Sequence, residues 1–389
     1  MSISDKKAFK YILLMAILSL VFLVIAGVLV WYIDPFFHYH KPIEGFPYVI
    51  DNQLTQNPGM AEHMDYDSVI LGSSMTVNFE TDWFSELMDL KTLKLSYSSA
   101  YPKDISNILE KIYEPYADGR EKNIKKVFLG LDIITYSGDV NETKYPLPEY
   151  LYDKNVLNDI NYLINKDVLL NYVLRPMVDP EPTNLSHVYA SWWTDDYYNE
   201  DWVLLNHDAI LEKKEEELPP EAFVDPIKKN LEANIIPYIE NHKETEFVIF
   251  FPPYSILFWN DVIMDNRLEA TMNAYRCVER ELNCFENVTM YYFPSMETIV
   301  TDLNNYADYT HYHPSINRMM AEAFVNGKMR IAKENQLKAD SLETENKKVF
   351  VDEMEADMEG YLSDMEDIIS KYDFETLRDK LYEIHGNRD

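Results

Sequence analysis

The chain has 389 residues, a formal net charge of −32, 47% hydrophobic residues, 29 Tyr and only 10 Gly. Such an acidic balance repels polyanions and argues against nucleic-acid binding, because phosphate contacts need clustered Lys and Arg. No Gly-x-x-x-x-Gly-Lys-Ser/Thr or Gly-x-Gly-x-x-Gly run occurs, which argues against nucleotide-driven chemistry. The two cysteines, Cys277 and Cys284, match no zinc spacing and read either as a disulfide or as two ordinary buried thiols.

Residues 11–33 run without a charge, about the length a helix needs to cross a bilayer core of roughly 30 Å. Lys6, Lys7 and Lys10 precede this run and Asp34 follows it. The bias predicts a cytoplasmic N-terminus, residues 1–10, with everything after residue 34 outside the cell membrane. A cleaved signal peptide would have a shorter apolar region ending at an Ala-x-Ala-like site; this run ends in Trp31-Tyr32-Ile33-Asp34-Pro35. The expectation is an uncleaved single-pass anchor.

Residues 34–65 form a connecting segment rich in Pro, His and aromatics. Short apolar runs at 68–71, 92–95, 126–133, 246–251 and 288–293 then read as buried strands. Helical patterns lie between them, near 80–89, 103–116, 220–240 and 266–282. A last helix is expected from Pro314 to about residue 334, with Pro314 in its first turn. The alternation predicts an α/β domain over 66–335, with a central parallel five-stranded sheet covered on both faces.

An insertion at about 137–215 carries Ser191-Trp192-Trp193-Thr194-Asp195-Asp196-Tyr197-Tyr198, which reads either as a sugar-stacking surface or as the insertion's own core. Residues 340–389 form an acidic tail in which Val351, Met354, Met358, Tyr361, Met365, Ile368 and Tyr372 recur three and four apart. That stripe predicts an amphipathic helix that folds back on the domain, self-associates or recruits a protein partner.

Two short segments carry chemistry. In Leu71-Gly72-Ser73-Ser74-Met75-Thr76 an apolar strand ends in Gly and two serines before a helix, at the sheet edge where ligands bind in open parallel sheets. A serine there offers a nucleophile beside free backbone N–H groups, although helix capping is the plain explanation for Ser73. In Asp308-Tyr309-Thr310-His311 the spacing lets a carboxylate reach the imidazole Nδ1–H and leaves Nε2 facing a serine. His313 is a rival base without an acid three residues before it, and reads more simply as part of the helix start. Tyr254, Trp259 and Arg267 near the end of the fourth strand read as groove liners or as plain packing.

Taken together, Gly72-Ser73-Ser74-Met75 and Asp308-Tyr309-Thr310-His311 resemble the first and last motif blocks of the SGNH (GDSL-like) hydrolases. Membrane-tethered bacterial members, including the D-alanyl transfer protein of lipoteichoic acid synthesis, share the N-terminal anchor and the Gly-Ser-Ser block. The resemblance covers roughly residues 60–330. It implies a three-layer α/β/α, flavodoxin-like fold and a catalytic triad of Ser74, Asp308 and His311, with no metal or cofactor.

Two departures stand out. Where members place an oxyanion-donating Gly, this chain has Ser98 and Ser99; where they place an Asn, it has Asp132. An ionised Asp132 is the wrong sign for an oxyanion, so it points elsewhere, is protonated, or binds a substrate hydroxyl or amine. The implied function is a membrane-anchored serine esterase or O-acyltransferase acting on acyl groups of a cell-surface polysaccharide or other envelope polymer. The alternative is a catalytically inactive glycan-binding or scaffold protein.

Overall fold

The computed structural model describes residues 3–116, 119–333 and 355–386. Val351 and Met354 of the tail stripe lie outside them. The chain divides into two compact units: Met1–Met64, Glu114–Glu121 and Pro146–Leu185 form the first, and Asp65–Tyr113, Lys122–Tyr145 and Ser186–Asp389 the second. Half of the stretch read as an insertion therefore clusters with the N-terminal segment.

In the first unit helix α1, Ile3–Ile33, contains the span Lys7–Ile33, whose 27 residues are long and apolar enough to cross a membrane. The helix stops where Asp34 turns to φ +49. The buried Asp34 carboxylate accepts N–H groups from His38, Tyr39 and His40 at 2.7–3.0 Å, and the Tyr162 hydroxyl at 2.9 Å. One side chain thus folds residues 34–40 into a tight cap. Helix α2, Gln53–His63, approaches this cap so closely that a Cβ on Gly59 would overlap the carbonyls of Phe36 and Phe37.

The second unit is built on a sheet whose strands are β1 Ser68–Leu71, β2 Thr92–Lys94, β3 Lys126–Gly130, β4 Glu246–Phe251, β5 Val288–Tyr292, β6 Arg330–Ile331 and β7 Glu355–Ala356. The order is β2-β1-β3-β4-β5-β6-β7. The first five are mutually parallel, while β6 runs antiparallel to β5 and β7 parallel to β6. Successive residues of β1, Val69, Ile70 and Leu71, are all fully buried, so both faces of the sheet are covered. The partial order 2-1-3-4-5 reverses direction between β1 and β3, which opens a crevice at the strand C-termini.

Helices α3 Thr81–Met88, α4 Pro102–Tyr113, α5 Val224–Asn234, α6 Ile256–Met264, α7 Leu268–Leu282 and α8 Pro314–Asn326 surround this sheet. The sheet is wider than the expected five strands, because β6 and β7 are two residues long and carry no readable alternation. Strand β3 stops at Gly130 rather than continuing to 133. Helix α8 ends near 326 rather than 334, because Gly327 takes φ +77 and its N–H caps the Ala323 carbonyl; the chain then turns into β6.

The tail folds back on its own unit. Helix α9, Met358–Lys371, packs on α7 and buries Met358, Tyr361, Met365 and Ile368. The Tyr361 hydroxyl donates to the Arg330 carbonyl at 3.1 Å, and Arg276 pairs with Glu359 at 3.0 Å. A second helix, α10 Phe374–His385, follows after Asp373. Cys277 and Cys284 are both free thiols; Cys277 is buried as expected and Cys284 is exposed.

Lys94, at the end of β2, is 1% exposed, and among the described residues it forms no salt bridge. Its ammonium donates to the carbonyls of Val77 at 2.7 Å, Phe79 at 2.8 Å and Ser186 at 3.3 Å. Burial pushes its pKa down to about 7, against the weaker pull of Glu80. Lys94→Met strips the donor from buried carbonyls, each of which costs about 1–3 kcal/mol when left unsatisfied. The expected outcome is a lower unfolding midpoint in urea, read by circular dichroism.

Candidate functional site

The crevice at the strand C-termini is lined from three directions: the exit of β1, the exit of β3 and the loop before α8. Gly72 makes the first possible. It takes φ +138, and a Cβ there would lie 2.7 Å from Thr76 Cγ2 and 2.9 Å from the Gly130 carbonyl. Only glycine lets the chain leave β1 this sharply. Ser73 then caps a single 3-10 turn, Ser74–Thr76, by accepting the Met75 N–H at 3.2 Å. The capping reading of Ser73 holds, and the turn it starts presents Ser74.

Residues 306–312 form a closed loop, pinned by a bridge between Tyr306 and Tyr312 and by the Ala307 N–H donating to the His311 carbonyl at 2.8 Å. Inside it Asp308 Oδ1 accepts the N–H groups of Thr310 and His311, each at 2.8 Å. Asp308 Oδ2 lies 2.6 Å from His311 Nδ1, and His311 Nε2 lies 2.7 Å from Ser74 Oγ. Because the carboxylate can only accept, the Nδ1–H donates to it, and Nε2 is left to accept from the serine hydroxyl. The geometry thus brings Ser74, His311 and Asp308 into one hydrogen-bonded row. Burial pushes the Asp308 pKa up, but the hydrogen bond and charge of His311 and the two backbone N–H groups outweigh it and hold the carboxyl below its ordinary value.

The serine turn and the histidine loop are also tied together at one atom. The Met75 carbonyl accepts the Tyr312 hydroxyl at 3.0 Å and the Asn317 amide at 3.2 Å. His313, the rival base, starts helix α8: its Nδ1 accepts the Ser315 N–H at 3.1 Å, and its Nε2 faces Asp195 at 3.1 Å.

Asp132 follows β3 and is 8% exposed. Its carboxyl accepts the Tyr254 hydroxyl and is hydrogen-bonded to the Ser73 side chain, so it contacts the residue beside Ser74. Burial pushes its pKa up, and the opposing pull of Ser73, Tyr254 and His311 does not reverse the shift. The shift favours the neutral acid relative to a carboxyl in water. Ser98 and Ser99 lie in a turn closed by the Ala100 N–H on the Tyr97 carbonyl at 2.9 Å. The Tyr97 N–H donates to the Gly72 carbonyl at 2.8 Å, which sets this turn beside the serine turn. Ser99 takes φ +58, a conformation glycine adopts without strain.

The aromatic stretch of the insertion divides. The Trp192 ring lies 4.3 Å from the His311 ring, centroid to centroid, and covers the imidazole. Trp193 and Tyr197 are exposed, while Tyr198 is buried and donates its hydroxyl to the Trp192 carbonyl. Trp259 is fully buried, so it is core rather than groove, and Tyr254 serves Asp132. Sequence reasoning did not single out Tyr312, Asn317, Lys94 or the Trp192–His311 contact. Adjacency to His311 was the one available signal for Tyr312.

No family model matches the chain, and no curated protein matches it. Among solved structures it is similar to one described as "a putative platelet activating factor from Streptococcus pneumonia", with a TM-score of 0.36 and 10% identity over 70% of this chain and 88% of that one.

The two carboxyls predict opposite responses to pH. Asp308 has its folded pKa below the unfolded value, so its stabilisation is full above about pH 4 and is lost as pH falls through the folded pKa. Asp308→Asn is expected to lower the thermal midpoint at pH 7, with the gap to the parent chain closing in acid. Asp132 has its folded pKa raised, so its contribution is full in acid and is lost as pH rises through the folded pKa. Asp132→Asn is expected to leave the acid midpoint unchanged and raise it at neutral pH and above. Melting both variants across pH 3–8 (roughly the carboxylate-to-neutral range) checks the two signs together.

Proposed function

We propose that this chain is a membrane-anchored serine hydrolase or O-acyltransferase of the SGNH type, with the three-layer α/β/α arrangement that family implies. The observation that carries the reading is the unbroken row from Ser74 Oγ to His311 to Asp308, at 2.7 Å and 2.6 Å. His311 accepts the Ser74 proton, and Asp308 holds the imidazole tautomer and stabilises the imidazolium that forms. Ser74 then attacks an ester or thioester carbonyl and forms an acyl-enzyme, while the His311 imidazolium protonates the departing alcohol or thiol.

The developing oxyanion is held by backbone N–H groups at Ser74 and in the Ser98–Ser99 turn. Burial raises the pKa of Asp132 toward the protonated acid, which does not oppose the oxyanion as an ionised carboxylate there would. In the second half of the reaction His311 takes the proton of an incoming water or sugar hydroxyl, that oxygen accepts the acyl group, and His311 passes the proton to the departing Ser74 oxygen. The substrate class is an acylated glycan of the cell surface, a reading supported by the anchor α1 and by the likeness of the two motif blocks to tethered members of that superfamily. The exposed rings of Trp193 and Tyr197 suit a sugar face.

A fluorophosphonate probe is expected to label the full chain in detergent, and Ser74→Ala is expected to abolish the label. His311→Ala is expected to slow labelling by roughly 10⁴-fold or more, and Asp308→Asn by about 10⁴-fold. Full labelling of Ser74→Ala sinks the assignment of the nucleophile. Mass spectrometry of envelope acyl groups in a strain lacking the chain separates the two outcomes: accumulation marks an esterase, depletion a transferase.

A further inference from the structure

Helix α1 is exposed along most of its length but not at its C-terminal end. Ala26, Val30 and Ile33, spaced along one face, are 6%, 0% and 7% exposed. They are covered by segments of the same compact unit: the turn Ile160–Leu163 and the π-helical Val168–Leu174 pack on α1, and a Cβ on Gly27 would lie 3.8 Å from Leu163 Cβ.

At 1.5 Å per residue, Ala26 lies about 10 Å below the end of α1. The whole span measures about 40 Å against roughly 30 Å of bilayer hydrocarbon, so a centred span projects about 5 Å, one turn, at each end, and its C-terminal turns straddle an interface. Whatever packs on those turns is held at that depth.

The covering segments are apolar on both sides. Tyr162, Val168 and Val173 face inward and are buried. Their neighbours face outward: Val156 is 73% exposed, Leu157 84%, Ile160 56%, Leu170 53%, Met177 59% and Val178 85%. Val168–Val178 is an apolar helical stretch too short to cross a bilayer. Charge follows the same pattern. In a chain with 67 acidic and 35 basic residues, positions 154–178 carry Lys154, Lys166 and Arg175 against only Asp159 and Asp167. Asp159 is itself buried, accepting the Tyr39 hydroxyl at 3.0 Å with His38 at 3.4 Å. Bounded by Asp153 and Asp179, and with Lys154 paired to Glu114 at 3.8 Å, the stretch is less acidic than the chain as a whole.

We propose that residues 154–178 form a second membrane contact, an interfacial element whose outward apolar side chains insert into the leaflet that holds the C-terminal end of α1. The occupant is lipid because the patch is continuous with the lipid-facing surface of α1 and sits at interfacial depth. Apolar groups facing the acyl boundary with basic groups near the headgroups are the pattern of such elements. The inference rests on reading α1 as a membrane span and on nothing in the serine chemistry.

The test places the full chain in nanodiscs of phosphatidylcholine with phosphatidylglycerol, in a Cys284→Ser background that leaves the buried Cys277. Nitroxide labels go singly on Leu157→Cys, Leu170→Cys and Val178→Cys, all exposed positions where a label adds no core strain. Ile17→Cys on α1 and Val325→Cys in the other unit serve as references. The ratio of collision rates with oxygen and with a water-soluble nickel complex reports depth. It is expected to be several-fold higher at 157, 170 and 178 than at 325. A ratio equal to that at 325, with 17 still oxygen-favoured, overturns the contact and leaves the anchor standing. If 17 also reads as water, both readings fall. Dipolar broadening that unlabelled chain dilutes away would mean that a second copy covers the patch, and also overturns the proposal.

Discussion

The hydrogen bond from Ser74 to His311 joins the exit of the first strand to the entry of helix α8 across 237 positions of sequence. Most of the unusual features of the second unit hold one end of it or the other. Gly72 permits the turn that presents Ser74, and the Tyr306–Tyr312 bridge closes the loop that presents His311. The Met75 carbonyl, accepting from both Tyr312 and Asn317, fixes the separation between the two ends. Lys94 acts one step further out, binding the carbonyls of Val77 and Phe79 just beyond the serine turn. Serine chemistry gains from such placement because the reacting groups need no reorganisation when a substrate arrives.

The two carboxyls near the row illustrate how environment assigns roles to one functional group. Asp308 is surrounded by donors, two backbone N–H groups and an imidazole N–H, and stays ionised. Asp132 is more deeply enclosed, meets the Ser73 and Tyr254 hydroxyls, and is pushed toward the neutral acid by burial against the weaker pull of His311. Separating paired titratable groups in this way is how acid and anion coexist at one pH. The upward shift bears on the objection that an acid at position 132 has the wrong charge. The objection holds for a carboxylate and lapses for a carboxylic acid, and Tyr254, read from sequence as a groove liner, is part of what encloses that acid.

The strands that line the crevice were legible because they are continuous apolar runs between polar residues: β1 and β4 fall within the boundaries the pattern indicates. Ser74, Asp308 and His311 were legible for another reason, since each sits in a short motif whose residue types imply its partner. What escaped was whatever depends on a neighbour remote in sequence. Strands β6 and β7 are two residues each and exist only by pairing with what lies beside them. The grouping of Pro146–Leu185 with α1 likewise has no local signature, because an outward-facing Leu157 and an inward-facing Tyr162 look alike in a one-dimensional pattern. The tail stripe announced a helix but not its partner; α7 supplies that, and the break before α10 comes where Asp373 caps a new helix through the Thr376 N–H.

The placement of Trp192 follows from backbone conformation more than from side-chain preference. Tyr189 and Trp192 take φ +62 and +53, a region that bulky residues seldom occupy. Two such residues within four positions cost conformational energy that local contacts must offset. The contacts are visible: Asn78 accepts the Ser191 N–H at 2.9 Å, and Tyr198 donates to the Trp192 carbonyl. The result of holding that strain is an indole laid over the imidazole of His311, where it limits rotation of the ring and screens one face from water. Hydrogen bonds within the row are stronger where water is kept away. A loop relaxed into ordinary conformations would lose that cover, which gives the strained segment a physical reason to persist beside the serine.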